Sequence, residues 1–151
     1  KYTLVYFYPK AYTGGCTAQG CSLRDDYDEL AKRGVSIVGV STDKVEDQKG
    51  FKELNHFQFP LISDTDKKVT SAFGVPEMRP GLDQRSAYLI KDGKIIYADY
   101  KGTTDKQAEV ILQVMYYAGQ AKGLFAIRRL KEVMEETGAT FAPVASVSDK
   151  K

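Results

Sequence analysis

Residues Tyr2–Tyr8 read as an apolar strand that runs into a loop marked by Pro9, Gly14 and Gly15. A helical stripe follows at once. Leu23, Tyr27, Leu30 and Ala31 recur with a 3.6-residue period, and Gly34 closes the run, which predicts a first helix over residues 17–33. Val35–Ser41 comes next, β-branched and almost continuously apolar, as expected of a parallel strand covered on both faces. Strand, helix, parallel strand is a βαβ unit. A chain that opens this way is bound to build a sheet with helices packed on it.

The remaining signals extend that plan. Residues 45–55 read as a short helix with Thr42 or Asp43 as N-cap. Pro60–Ser63 is a short strand, and Asp66–Phe73 a helical turn ended by Gly74. Asp92-Gly93, the dipeptide favoured in a type I′ turn, separates strands at 86–91 and 94–100. Thr104-x-x-Gln107 reads as a capping box opening a helix with Ala108, Ile111, Leu112 and Met115 on one face. A βαβ unit joined to a ββα unit predicts an α/β fold with a mixed central sheet flanked by helices. Beyond Ala118, an amphipathic helix is expected over 124–137 with Gly138 as stop, then an irregular tail over Thr140–Lys151. The expected organisation is therefore one domain over 1–118 and a C-terminal helical extension over 119–151. That extension must bury its apolar stripe, either on the domain or on a second copy, so a monomer or weak dimer is expected.

Composition removes several partner classes. The 151 residues suit a single core. A net charge of +2 argues for neither a nucleic-acid nor a membrane partner. The cluster Arg128-Arg129-Leu130-Lys131 is interleaved with Glu132, Glu135 and Glu136, the pattern of a solvated helix face. No apolar run reaches the length of a membrane span, and no secretory leader pattern is present. The chain opens at Lys1 already inside a strand pattern, as expected if an upstream segment, with any targeting peptide it held, has been removed.

The chemistry centres on Cys16, which stands where the first helix should begin. Unpaired first-turn amides and the positive end of the helix dipole favour a thiolate, the reactive form of cysteine. Thr13 sets a hydroxyl just upstream. The alternative is a small buried hydrophobe, but Gly14, Gly15 and Thr17 are not an apolar setting. With Cys21, the chain has two cysteines, either a structural disulfide or a reactive pair. Five helical residues rise about 7.5 Å, beyond the roughly 7 Å Cα separation that a bridge spans without backbone movement. A permanent bridge would forbid the helix, whereas a transient one, formed by unwinding a turn, is compatible with it. Cys21 as a buried helix cysteine without a redox role is the remaining reading. His56 is the only histidine and lacks the partners of a zinc site or a catalytic triad. The glycines form no nucleotide fingerprint. Arg24 and Arg79 are secondary cations, Arg24 being expected to pair with Asp28 one turn on. The ten tyrosines read as core and edge residues.

Pro9-x-x-x-Thr13-x-x-Cys16 resembles the peroxidatic motif of peroxiredoxins, thiol peroxidases of thioredoxin-like fold. Cys21, five residues on, resembles the arrangement in the bacterioferritin-comigratory-protein or peroxiredoxin Q subfamily, in which Pro is common where Gly14 stands. Asp83–Ile90 followed by Asp92-Gly93 is similar to the family's arginine-bearing strand and hairpin. The resemblance spans roughly residues 1–117 and implies further strands ahead of Tyr2. It implies a thioredoxin-like fold and Cys16 as the nucleophile that reduces hydrogen peroxide or an alkyl hydroperoxide. Thr13 and the loop amides would act as hydrogen-bond donors, Arg85 as the cation stabilising the charge, and Pro9 as the residue shaping the loop. Cys21 would be the resolving thiol, and a thioredoxin-like dithiol the reductant, in a reducing compartment such as cytoplasm or organellar stroma. No metal, haem or flavin cofactor is implied. A peroxide sensor or thiol-dependent binding module, keeping the cysteine but turning over little, is the alternative from another class.

Overall fold

The computed structural model describes residues 1–120 and 145–146, with side chains through Tyr116. Three strands run parallel: β1 (Tyr2–Phe7), β2 (Val35–Ser41) and β3 (Leu61–Ser63). Three more join antiparallel: β6 (Ser86–Lys91), β7 (Lys94–Asp99) and β8 (Ala145–Ser146). Together they form one mixed sheet of order β3-β2-β1-β6-β7-β8, with β1 between its parallel and antiparallel halves. A small separate ribbon pairs β4 (Glu77–Arg79) with β5 (Leu82–Asp83). The expected α/β thioredoxin-like sheet is thus present. Among the described residues no helix is long and apolar enough to cross a membrane.

The continuous apolar run of β1 has a simple cause: both faces of the sheet are covered. Leu4 and Tyr6, with Tyr8 just beyond the strand, enter a cluster with Leu23 of α1 (Gly14–Asp25), Phe51 of α3 (Val45–Asn55) and Ile111 of α5 (Gln107–Gln120). Val5 and Phe7 enter a second cluster against Val69 and Phe73 of α4 (Lys68–Phe73). Asp92 (φ 52°) and Gly93 (φ 74°) both take the left-handed conformation that the type I′ hairpin requires. A register shift in the β6–β7 ladder then turns β7, sending Ile95 into the second cluster and Tyr97 into the first.

Several local expectations are corrected. The first helix starts at Gly14, three residues early, and breaks at Asp26 before α2 (Tyr27–Lys32). At the break, the Gln58 side-chain amide donates to the Arg24 carbonyl, which a continuous helix would offer to Asp28. Arg24 itself pairs with Asp25 and the Asn55 carbonyl, not with Asp28. Neither Thr42 nor Asp43 caps α3, whose N-cap is Lys44. The Thr104–Gln107 capping box does not form. Instead the Ala108 amide donates to Ser22 Oγ of α1 (3.0 Å), and the Gln107 side chain turns inward. These bonds fix the rotation of α5, so Val110 and Val114 join Ala108 and Ile111 in the core, with Leu112 and Met115 only partly buried. The helix expected over 124–137 lies outside the described residues. Within the tail expected to be irregular, Ala145–Ser146 pairs with Lys94–Ile95.

Gly20 in the middle of α1 has a packing cause. A Cβ there would lie 2.3 Å from Phe57 Cζ. That ring is held by a stacked Phe59 at 5.1 Å and an edge-on Phe51 at 5.3 Å, so it has nowhere to swing. Helix propensity alone favours Gly20→Ala by about 1 kcal/mol, whereas overpacking of this kind costs about 1–3 kcal/mol. Net destabilisation is expected, read as a lower urea midpoint at unchanged slope. A raised midpoint would show that the aromatic stack yields.

Candidate active site

The register of the central strands brings the site together. Phe7, the last residue of β1, faces Ser86, the first of β6. The chain leaving β1 toward Cys16 and the chain arriving through Arg85 therefore sit side by side at one end of the sheet. Cys16 is the third residue of α1 and is 1% exposed. Arg85 Nη2 donates to its Sγ at 3.4 Å, and Nη1 donates to Gln19 Oε1 at 2.8 Å. The arginine runs through a slot between two glycines. A Cβ on Gly15 would stand 2.8 Å from Nη2, and one on Gly102 (φ 66°) 2.3 Å from Arg85 Cγ.

Below the cysteine the loop is pinned at successive residues. The Tyr8 amide donates to the Val40 carbonyl at 3.1 Å, and its hydroxyl to Gln48 Oε1 at 2.5 Å. Pro9 is buried. The Ala11 amide donates to Asp43 Oδ2 at 2.8 Å, an oxygen that also accepts from Ser41 Oγ. Tyr12 adopts a left-handed φ of 65° and lays its ring edge-on to Phe51. Its hydroxyl occupies the space that any side chain at Gly50 would need. A non-glycine residue held at positive φ is strained and persists only where the surroundings over-determine it.

Thr13 is the N-cap of α1, but its hydroxyl makes no capping bond. It donates instead to the Lys10 carbonyl at 2.7 Å. In this arrangement the hydroxyl proton is directed to the Lys10 carbonyl and Oγ presents its lone pairs. The Thr13 carbonyl accepts from Thr17 N at 2.9 Å, so Gly14, Gly15 and Cys16 keep amides with no intrahelical partner. Donors at the site are thus these backbone N–H groups and Arg85, with Thr13 Oγ as acceptor. Tyr6, fully buried in the first cluster, is kept neutral. Burial first, then the neighbouring Tyr8, Cys16 and Cys21, push its phenol well above the ordinary value.

Cys21 lies on the same helix but not on the same side. Five residues of α-helix turn by about 500°, so its side chain points about 140° away from that of Cys16. It is half-buried, with Sγ donating to Asn55 Oδ1 at 3.8 Å, and both thiols are free. Gln19 and the Gly15–Gly102 slot had no role in the sequence-based expectations, and Asp43 and Gln107 were expected only as helix caps, not at the site. Gln19 was open to discovery, since i+3 puts it on the Cys16 face of the helix. Asp43 and Gln107 were hidden by the capping roles that their local sequence suggests. Arg79 lies exposed on β4, and His56 is exposed at the end of α3.

The model of the AhpC/TSA family matches residues 1–98. The chain belongs to the AhpC/TSA family. Peroxiredoxin Bcp of Escherichia coli is 43% identical over 118 residues, covering 72% of this chain and 74% of that protein. Chloroplastic peroxiredoxin Q of Sedum lineare is 38% identical over 101 residues, covering 66% of this chain and 54% of that protein. A bacterioferritin comigratory protein of Xanthomonas campestris, solved in connection with alkyl peroxide reduction, superposes with a TM-score of 0.71 at 31% identity. That match covers 76% of this chain and 78% of the other. The chain is therefore a peroxiredoxin of the Bcp and peroxiredoxin Q kind, a thiol peroxidase.

The slot geometry separates stability from activity in this peroxiredoxin. Gly15→Ala is favoured by about 0.4–1 kcal/mol through a less flexible unfolded chain, and the clashing atom is the mobile end of Arg85. Thermal stability should hold or rise, while peroxide reduction falls roughly tenfold or more, since misplacement by about 1 Å costs up to 10²-fold. Undiminished peroxide turnover in Gly15→Ala would mean that the guanidinium position is not critical.

Proposed function

We propose that this thiol peroxidase reduces hydrogen peroxide and organic hydroperoxides with Cys16 as attacking thiolate and Cys21 as resolving thiol. The observation carrying the reading is the Arg85 guanidinium at 3.4 Å from a buried sulfur in the first turn of a helix. A permanent cation and three unpaired amides favour the anionic sulfur. The same groups stabilise charge that builds on the peroxide oxygens as the O–O bond breaks. Thr13 Oγ, its proton held by Lys10, accepts from the hydroperoxide O–H and orients the substrate. Pro9 shapes the loop that carries these groups and keeps bulk water from the sulfur.

In the first step Cys16 Sγ bonds to one oxygen and becomes a sulfenic acid. The other oxygen leaves with the electron pair and takes a proton to give water or an alcohol. In the second, the Cys21 thiolate attacks the sulfur of the Cys16 sulfenic acid. The S–O bond breaks as the disulfide forms, and the hydroxide leaves and takes a proton to become water. An external dithiol, a thioredoxin-like protein, returns both cysteines to thiols by exchange, which places the cycle in a reducing compartment. Organic hydroperoxides are included because the Xanthomonas campestris relative is described for alkyl peroxide reduction. Residues 1–118 form the catalytic domain in this reading, and 119–151 an extension to it.

Because Cys21 faces away from Cys16 on an intact α1, the disulfide requires the turn between them to unwind. Peroxide treatment followed by non-reducing peptide mapping should recover an intramolecular 16–21 disulfide, and amide exchange should rise over that turn. Cys21→Ser should consume one equivalent of peroxide, stop at the Cys16 sulfenate, and pass to sulfinate under excess. Sustained thioredoxin-dependent turnover by Cys21→Ser would exclude Cys21 as the resolving thiol.

A further inference from the structure

The seam between α1 and α5 holds a hydrogen-bonded chain whose direction is set by Arg85. A guanidinium only donates, so its 2.8 Å contact requires the oxygen of the Gln19 carboxamide. The nitrogen of Gln19 then faces the other way and donates to Gln107 Oε1 at 2.9 Å. Gln107 in turn must present its oxygen, and its Nε2 is left buried with no partner among the described residues. Both glutamines are 0% exposed. A buried donor without a partner is destabilising, whereas an apolar pair of like shape would fill the seam without that loss. The seam is already joined by the Ala108 amide to Ser22 Oγ, so stability does not explain the pair.

We propose that Gln107 is a positioning residue for peroxide reduction: through Gln19 it holds the Arg85 guanidinium against Cys16 Sγ. The inference rests on the role assigned to Arg85 above. Without an acceptor at 107, the Gln19 carboxamide loses the partner that keeps its oxygen toward Arg85 and is free to rotate. The guanidinium then loses its second fixed contact and the direction of its approach to the sulfur. Gln19 also lies between the two cysteines on α1, so unwinding that turn for the disulfide takes this anchor away. Arg85 is therefore held against Cys16 while the helix is folded and released when the disulfide forms.

The test is the single-turnover rate at which hydrogen peroxide oxidises Cys16 in the Cys21→Ser protein. Gln107→Met, which keeps the shape and removes the acceptor, should slow that rate by roughly tenfold, since misplacing a catalytic group by about 1 Å costs up to 10²-fold. In an Arg85→Met background the same substitution should add less than about twofold, since the two act as one unit. Gln107→Glu, which keeps an acceptor oxygen toward Gln19, should stay within about threefold of the parent. The proposal is overturned if Gln107→Met reacts at the parent rate, if it slows both backgrounds equally, or if Glu loses as much as Met. Should Gln107→Met not fold, Gln19→Met in the same two backgrounds is expected to give the same pattern, and equal slowing in both overturns it. Arg85→Met reacting at the parent rate would instead remove the role of Arg85, an outcome distinct from the failure of Gln107 alone.

Discussion

A permanent cation 3.4 Å from a buried sulfur is the contact that organises this chain. Arginine keeps its charge at any accessible pH, so the cation is always present where charge develops during attack on a peroxide. Such a contact works only if both partners are held. The sulfur is held by α1 and by the pinned loop ahead of it, through Tyr8, Ala11 and Tyr12. The guanidinium is held by the β1–β6 register, by the slot between Gly15 and Gly102, and by Gln19. Much of the polar interior near this end of the sheet therefore serves geometry at one atom.

The same helix has to satisfy opposing demands. It must be folded to place Cys16 beside Arg85, and it must open if Cys21 is to reach Cys16. The side-chain bonds that hold its middle turns include two from guanidinium groups, Arg85 to Gln19 and Arg24 to the Asn55 carbonyl. Three more come from neutral donors, Gln19 to Gln107, Ala108 to Ser22 and Cys21 to Asn55. A neutral bond is worth on the order of 0.5–1.5 kcal/mol net and one to a charged group about 1.5–3 kcal/mol. Opening of one or two turns is accordingly far less costly than global unfolding, as expected of segments that move in function. Gly20 fits this view differently from its helix propensity. It is there because Phe57 occupies the space, and the Phe51–Phe57–Phe59 stack gives the helix a firm seat to which it can return.

The fold was largely legible in the sequence, because its signals are local. Continuous apolar strands and the Asp92-Gly93 turn report burial or φ directly, and the sheet followed from their order. Cys16 and Arg85 came together in the expectations through a resemblance rather than a spacing, since 69 residues separate them. What stayed hidden were side chains whose local pattern suggests one partner while tertiary structure supplies another. Asp43 and Gln107 look like caps, yet one binds the Ala11 amide and the other Gln19. The Thr13 hydroxyl donates to the Lys10 carbonyl, three residues upstream. At the break near Asp26 the Gln58 amide meets the Arg24 carbonyl, a contact that the helix pattern alone does not place.

If the cation beside the sulfur is the centre of the account, it must be visible in the chemical step itself. The second-order rate constant for Cys16 oxidation by hydrogen peroxide, followed by stopped flow in Arg85, Arg85→Lys and Arg85→Met proteins, reads that step alone. Arg85→Met is expected to fall by roughly 10²-fold or more, the scale of losing one preorganised electrostatic donor. Arg85→Lys should recover only part of that loss, because a point charge cannot contact Sγ and Gln19 at once as the planar fork does. Wild-type rates in Arg85→Met would contradict the account.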